Sequence, residues 1–197
     1  MQTTHGGPAT PASEKTALRQ MFRSRRAAFV ASLSASAREA QEQAMAGIAA
    51  PLARLPGPLA SYAAMGDEID PKWVEDLFGT HAFPRIEGRN LRFLVADWEE
   101  LVPGPLGIPQ PRAEAPEVMP RLLLVPLIAA TRAGVRLGQG GGYYDRTLAR
   151  LRAGGPVVAI GLAWDVQLAD QLPVEPHDQR LDWIVTPTQL VDCHWNR

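Results

Sequence analysis

The residues best suited to chemistry lie in the stretch GVRLGQGGGYYDR, positions 134 to 146. Arg136 and Leu137 lead into Gly138, Gln139, Gly140, Gly141 and Gly142, and Tyr143, Tyr144 and Asp145 follow where a helix should begin. Glycine loses more backbone freedom on folding than any other residue, so a cluster marks a sharp turn or a close approach to backbone. Ahead of a helix, unpaired N–H groups and the positive end of the helix dipole converge, which suits an anion such as phosphate. A plain tight turn accounts for the glycines equally well. The run is not GxGxxG, since Tyr143 stands where the third glycine would fall, and no Walker lysine follows. Asp145 serves the helix dipole in any case; beside a phosphate cradle its carboxylate also suits Mg²⁺, a hard cation that takes oxygen ligands. Adjacent tyrosines on a helix point about 100° apart, so one can pack inward while the other faces a cleft.

A second cationic pair, Lys15 and Arg19, lies one helical turn apart and can converge on one anion, although the same spacing describes a solvated stripe. His5, His81, His177 and His194 are scattered, without the spacing of a structural zinc site. No Ser-His-Asp or Cys-His arrangement stands out.

These groups need a scaffold. From Glu14 the pattern is helical: Leu18, Phe22 and Phe29 share a face, with Met21 beside them, and Lys15, Arg19 and Arg26 mark another stripe. Ser36 to Glu39 reads as a capping box opening a second helix that runs to Pro56-Gly57. LASYAAM has strand length, and Asp70-Pro71 precedes a short helix, KWVEDLF. HAFPRI and LRFLVA around EGRN predict a hairpin. Val102 to Pro120, with six prolines and two glycines, reads as a long irregular loop. RLLLVPLIA predicts a strand covered on both faces, and the glycine stretch follows it. A helix (YYDRTLARLR), a buried strand (VVAIGLA), the loop QLPVEPHDQRLD and a last strand, WIVT, complete the chain. The alternation predicts an α/β fold, a three-layer Rossmann-like sandwich with a largely parallel sheet. Ligands of such sheets bind beyond the carboxyl ends of the strands, where the glycine loop and the PHD loop both fall.

The chain has 197 residues, enough for one domain with a sizeable core, expected over 14–197 behind a disordered polar tail at 1–13. Twenty basic residues balance 21 acidic ones, offering no general attraction to nucleic acid or anionic lipid. One cysteine, Cys193, excludes an internal disulfide and suits a cytoplasmic setting. No apolar run reaches membrane-spanning length, and the tail lacks the apolar stretch of a secretory signal.

RLGxGxGYYDR after a strand of the form LxxVPxxA closely resembles the 5-formyltetrahydrofolate cyclo-ligase (5,10-methenyltetrahydrofolate synthetase) family. The resemblance runs from about Lys15 to Thr186 and includes KTALR near the start, SYAAMGDEID, Pro84-Arg85, GIPQP and LPVEPHDQRLDWIVT. Many members carry Phe-Asp in place of Ala130-Thr131, an aromatic or glycine-flanking tyrosine at Gln139, and Glu at Gln110.

The resemblance implies ATP-dependent closure of 5-formyltetrahydrofolate to 5,10-methenyltetrahydrofolate with Mg²⁺, in a monomer. It assigns ATP to Lys15, Arg19 and the run Arg136 to Tyr144, and Mg²⁺ to Asp145 and Asp178. The folate falls to Met65, Glu68 and the loop Gln139 to Tyr143. Arg136, Tyr143 and Asp145 become the catalytic group. A carboxylate at Glu68 is apt, because it can accept paired hydrogen bonds from an aminopyrimidinone edge. The rival readings are a sugar-phosphate isomerase or CoA-transferase-like enzyme of similar architecture, which needs no ATP, and a folate- or nucleotide-binding protein without turnover.

Overall fold

The computed structural model describes residues 11–79 and 81–194. Helix α1 (Pro11–Ala31) starts three residues ahead of Glu14, so residues 11–13 of the expected tail are helical, and the remainder of that tail lies outside the described residues. Helix α2 (Ala35–Ala49) is capped by Ser34, whose side chain accepts from the Ala37 N–H, and not by the box expected at Ser36. It also stops short of Pro56: Pro51 opens a 3₁₀ segment, Ala50–Arg54, that carries the chain onward.

Next come β1 (Leu59–Ala60), α3 (Lys72–Glu75), β2 (His81–Glu87) and β3 (Asn90–Val95). The expected hairpin is present, with Pro84 opposite Phe93 and Glu87 opposite Asn90. The expected structureless loop after it folds on itself: β4 (Val102–Pro103) pairs with β5 (Pro109–Gln110) across a 3₁₀ turn. The buried run 121–129 is two strands. Pro126 cannot donate to a sheet ladder, and the run divides there into β6 (Leu122–Val125) and β7 (Ala129–Thr131). Then follow β8 (Arg136–Leu137), α4 (Tyr143–Ala153), β9 (Val158–Leu162) and β10 (Leu168–Ala169). After β11 (Trp183–Val185) the chain adds a strand that the sequence pattern did not predict, β12 (Leu190–Asp192).

Seven strands form the central sheet in the order β12-β11-β9-β6-β1-β2-β3. Its inner pairs are parallel and its two edge strands antiparallel. Both faces are covered, as the alternation along β6 requires. Leu123 and Val125 join a cluster with Leu148 and Leu151 of α4. Leu122 and Leu124 point the other way, into a cluster with Met45 and Ala49 of α2 and Val74 of α3, against which Phe29 of α1 packs. Burying each such side chain contributes about 1.5–3 kcal/mol. This is the expected three-layer α/β arrangement. No helix among the described residues is long and apolar enough to cross a membrane.

The sheet fixes where a ligand can sit. From β1 the chain proceeds to β2 on one side, whereas from β6 it proceeds to β9 and β11 on the other. The crevice beyond the carboxyl ends of β1 and β6 is therefore the topological switch point, where open α/β sheets bind ligands. The loops leaving those two strands begin at Ser61 and Pro126. A small sheet, β10-β7-β8, extends the floor, and Phe22 of α1 packs onto its Ala129 and Leu137. That contact brings the start of α1 to the glycine stretch.

Candidate active site

A cavity of about 560 Å³ occupies the crevice, within the usual range for small-molecule sites. Lys15 and Arg19 line it together with Gly140 and Asp145, so the two distant cationic and glycine-rich segments do share one space. The cationic stripe of α1 is not solvated as its spacing allowed. Lys15 and Arg26 are buried, whereas Met21 is half exposed.

Each cation has a specific partner. The Arg19 Nε donates to the Gly138 carbonyl at 2.9 Å. Arg23 donates to the Gln139 side-chain oxygen at 2.6 Å, an exposed contact that the sequence did not signal. The Lys15 ammonium lies 2.6 Å from Asp178 and 2.7 Å from Glu175. Burial lowers the Lys15 pKa, but hydrogen bonds to Asp178 and Glu175 outweigh it, and the net movement is upward from 10.5.

The glycine loop adopts backbone that side chains rarely tolerate. Gly140 has φ +103°, and a Cβ there would sit 3.4 Å from the Arg19 guanidinium carbon. Gly142, at φ +64°, is the N-cap of α4. Tyr143 and Tyr144 are both half-buried, pack against the core and line the cavity, so neither is committed wholly inward. Burial raises the Tyr144 hydroxyl well beyond the ordinary tyrosine range, more than the nearby Arg136 charge lowers it, and it stays protonated.

Arg136 is buried at the cavity wall. Its Nη2 meets the Asp145 carboxylate at 2.8 Å, and its Nε has no hydrogen-bond partner among the described residues. The same Asp145 oxygen accepts from the Gln179 N–H at 3.1 Å. In the turn just before Gln179, ligand atoms of Glu175, His177 and Asp178 lie within 4.8 Å of one another. Glu175 and His177 are not among the candidate ligands of the sequence, although the PHD loop is expected here and both stand within three residues of Asp178. Asp145 belongs to this cavity but is engaged by Arg136 instead. The oxygen donors here are those a hard divalent cation takes, so the residues present fit Mg²⁺.

Glu68, which also lines the cavity, accepts from the Met65 N–H at 3.1 Å and from the Gln139 side-chain amide at 3.2 Å. Burial raises its carboxyl above 4.5, against the lowering influence of those bonds and of Arg26. Gln139 thus joins the glycine loop to the Glu68 loop, a role that the sequence did not disclose. Met65 lines the cavity and is partly exposed.

A family model described as the 5-formyltetrahydrofolate cyclo-ligase family matches residues 11–187. The chain belongs to this family. Among its relatives, the 5-formyltetrahydrofolate cyclo-ligase of Escherichia coli (strain K12) is 40% identical over 106 residues, covering 51% of this chain and 58% of the relative. That of Mycolicibacterium smegmatis is 44% identical over 66 residues, covering 34% of this chain and 33% of the relative. These matches span less than two thirds of either relative. The cyclo-ligase fold extends further than the close sequence match. The NMR structure of Aquifex aeolicus 5,10-methenyltetrahydrofolate synthetase superposes with a TM-score of 0.71 at 24% identity, covering 91% of this chain and 92% of that one. The 5,10-methenyltetrahydrofolate synthetase from Mycoplasma pneumoniae gives 0.67 at 21% identity, covering 88% and 99%.

Proposed function

We propose that this cleft closes 5-formyltetrahydrofolate to 5,10-methenyltetrahydrofolate, converting ATP to ADP and phosphate. The observation that carries the reading is the convergence of Lys15, Arg19, the glycine loop, Asp145 and Asp178 on one cavity that Glu68 also lines. In this reading the cationic and glycine-rich groups take the phosphates and the cation, Glu68 takes the heterocycle, and the two reactants meet in the one cavity.

The chemical obstacle is a formamide, whose nitrogen donates into the carbonyl and whose oxygen is a poor leaving group. Transfer of the γ-phosphoryl group to that oxygen solves this. N10 then forms its bond to the activated carbon, the carbon–oxygen bond breaks, phosphate departs with the oxygen, and N10 loses its proton. Phosphoryl transfer asks mainly for positioning and charge neutralisation. Lys15 and Arg19 supply cations from α1, the loop N–H groups of 138–142 supply fixed donors, and Arg136 supplies charge at the wall. Asp145 and Asp178, with Glu175 in reach, would hold Mg²⁺, which neutralises phosphate charge when bound. Glu68 orients the pterin through its carboxylate, and Tyr143, Met65 and Gln139 border it.

The test is incubation with 5-formyltetrahydrofolate, MgATP and the purified protein, following methenyl absorbance and ADP together. Equal amounts of both products support the reading. Product formed without ATP, or folate bound without turnover, overturns it in favour of an isomerase-like or binding role.

A further inference from the structure

We propose that Arg38 and Glu42, on α2 and outside the cavity, form a positioning pair that sets the Glu68 carboxylate for the folate. The inference rests on the reading of Glu68 given above and adds the device that holds it.

Glu68 sits in a short turn whose own backbone bonding is sparse, so side chains from elsewhere hold it. The turn is closed by a single backbone bond, from the Glu68 N–H to the Met65 carbonyl at 3.0 Å, and Gly66 within it has φ +59°. Arg38 fastens that turn from behind with all three parts of its fork. Its Nη1 donates to the Gly66 carbonyl at 3.1 Å and its Nη2 to the Glu68 carbonyl at 2.7 Å. Its Nε donates to Glu42 at 3.0 Å. Glu42, buried one helical turn further along, uses the same oxygen to accept the Asp70 N–H at 3.1 Å. The i,i+4 pair therefore grips the backbone around Glu68, while neither Arg38 nor Glu42 itself lines the cavity.

Planar guanidinium geometry makes this specific to arginine. Three donors in a rigid fork meet two carbonyls and a carboxylate at once, and an ammonium on a flexible stem does not reproduce that pattern. The pair is also separable from the fold. Helix α2 is anchored by Met45 and Ala49, both fully buried in the core, at the end of the helix away from Arg38. Asp67 is held independently, by Arg26 at 2.7 Å and by the Trp164 ring N–H at 3.1 Å. Removing the fork should loosen the turn around Glu68 and leave the rest of the protein standing.

The experiment measures dissociation constants of the full chain for 5-formyltetrahydrofolate and, separately, for ATP, in wild type, Arg38→Ala, Glu68→Gln and the double variant. Arg38→Ala is expected to weaken folate binding about tenfold, within the coupling found inside one hydrogen-bond network, and to leave ATP binding within about twofold. In the Glu68→Gln background the same change should cost little more, because the fork acts through that carboxylate. Folate affinity unchanged in Arg38→Ala, equal loss of ATP and folate affinity, or losses that multiply in the double variant would each overturn the proposal. If Arg38→Ala does not fold, Arg38→Lys keeps the charge without the fork. It is expected to bind folate more weakly than wild type, and wild-type affinity there overturns the proposal too. A wild-type protein that binds no folate refutes the functional reading and this inference with it, whereas a folate-binding wild type matched by Arg38→Ala refutes this inference alone.

Discussion

Asp145 has a structural job and a proposed metal-binding one, and replacing it by Asn and by Ala distinguishes them. Its structural job is to neutralise Arg136, whose side chain is 4% exposed, across 2.8 Å. Breaking a fully buried pair from one side costs about 3–5 kcal/mol. Asp145 itself is 19% exposed, so water softens the loss, and about 2 kcal/mol is a fair share for Asp145→Ala. The Gln179 N–H loses its acceptor as well, for about 1 kcal/mol. At about 2–4 °C per kcal/mol for a chain of this size, Asp145→Ala should melt about 6–12 °C below wild type. Asp145→Asn keeps an oxygen for both donors and loses only the charge, which about halves the strength of the Arg136 bond. Its Tm should fall by about 2–4 °C, leaving it folded at assay temperature. If the carboxylate also carries the metal, Asp145→Asn should lose at least about a hundredfold in turnover while still binding folate, far more than its melting point explains. The assay pairs thermal unfolding without metal or nucleotide with MgATP-dependent turnover. An Asp145→Ala protein melting within about 2 °C of wild type would refute the ion-pair accounting. Wild-type turnover in Asp145→Asn would remove the acid from the metal.

Three further changes probe the other groups. Lys15→Met should raise the ATP dissociation constant at least about tenfold if Lys15 makes the proposed charge-assisted phosphate contact. The Lys15 pKa is raised above 10.5, so its contribution to stability is full below that value and disappears as pH climbs through the raised one. Lys15→Met should therefore flatten the alkaline limb of the melting profile, and an unchanged limb would refute the pairing. Glu68 works in the opposite sense to most carboxylates. Burial raises it above 4.5, so the fold favours its protonated form and stability from this group drops as pH rises through the raised value. Glu68→Gln should melt no lower than wild type at neutral pH yet bind folate about tenfold more weakly, the reported difference being a folate titration beside a melt. Gly140→Ala puts a Cβ at φ +103° and 3.4 Å from Arg19, and should cost about 1 kcal/mol of stability and weaken ATP binding more than folate binding. A variant with intact ATP affinity would show the loop to be a turn and nothing more.

Much of the site was legible because its signals are local. The glycines, the helix from Tyr143 and the buried strands each announce themselves within ten residues or so. What escaped depended on distance or on degenerate chemistry. Lys15 and Arg19 have the same spacing whether solvated or buried, and only the fold reveals that Lys15 faces acids far along the chain. Ser34 and Ser36 are equally good caps by type, and the structure uses the first. LVD is too short to read as a strand, yet β12 closes an edge of the sheet. Gln139 departs from the pattern of many family members, and nothing in its type foretold that it would bridge Arg23 and Glu68.

The ammonium of Lys15 meets partners 160 and 163 positions downstream. At about 5–20 residues per second, the ribosome takes about 8–30 s to deliver those partners after the first helix has been made. Until then the helix carries a lysine destined for burial with no acid to receive it, so its final docking belongs among the late events of folding. A nascent chain stalled ahead of the 175–178 turn would own a complete glycine loop and still lack the clasp that draws its beginning and end together.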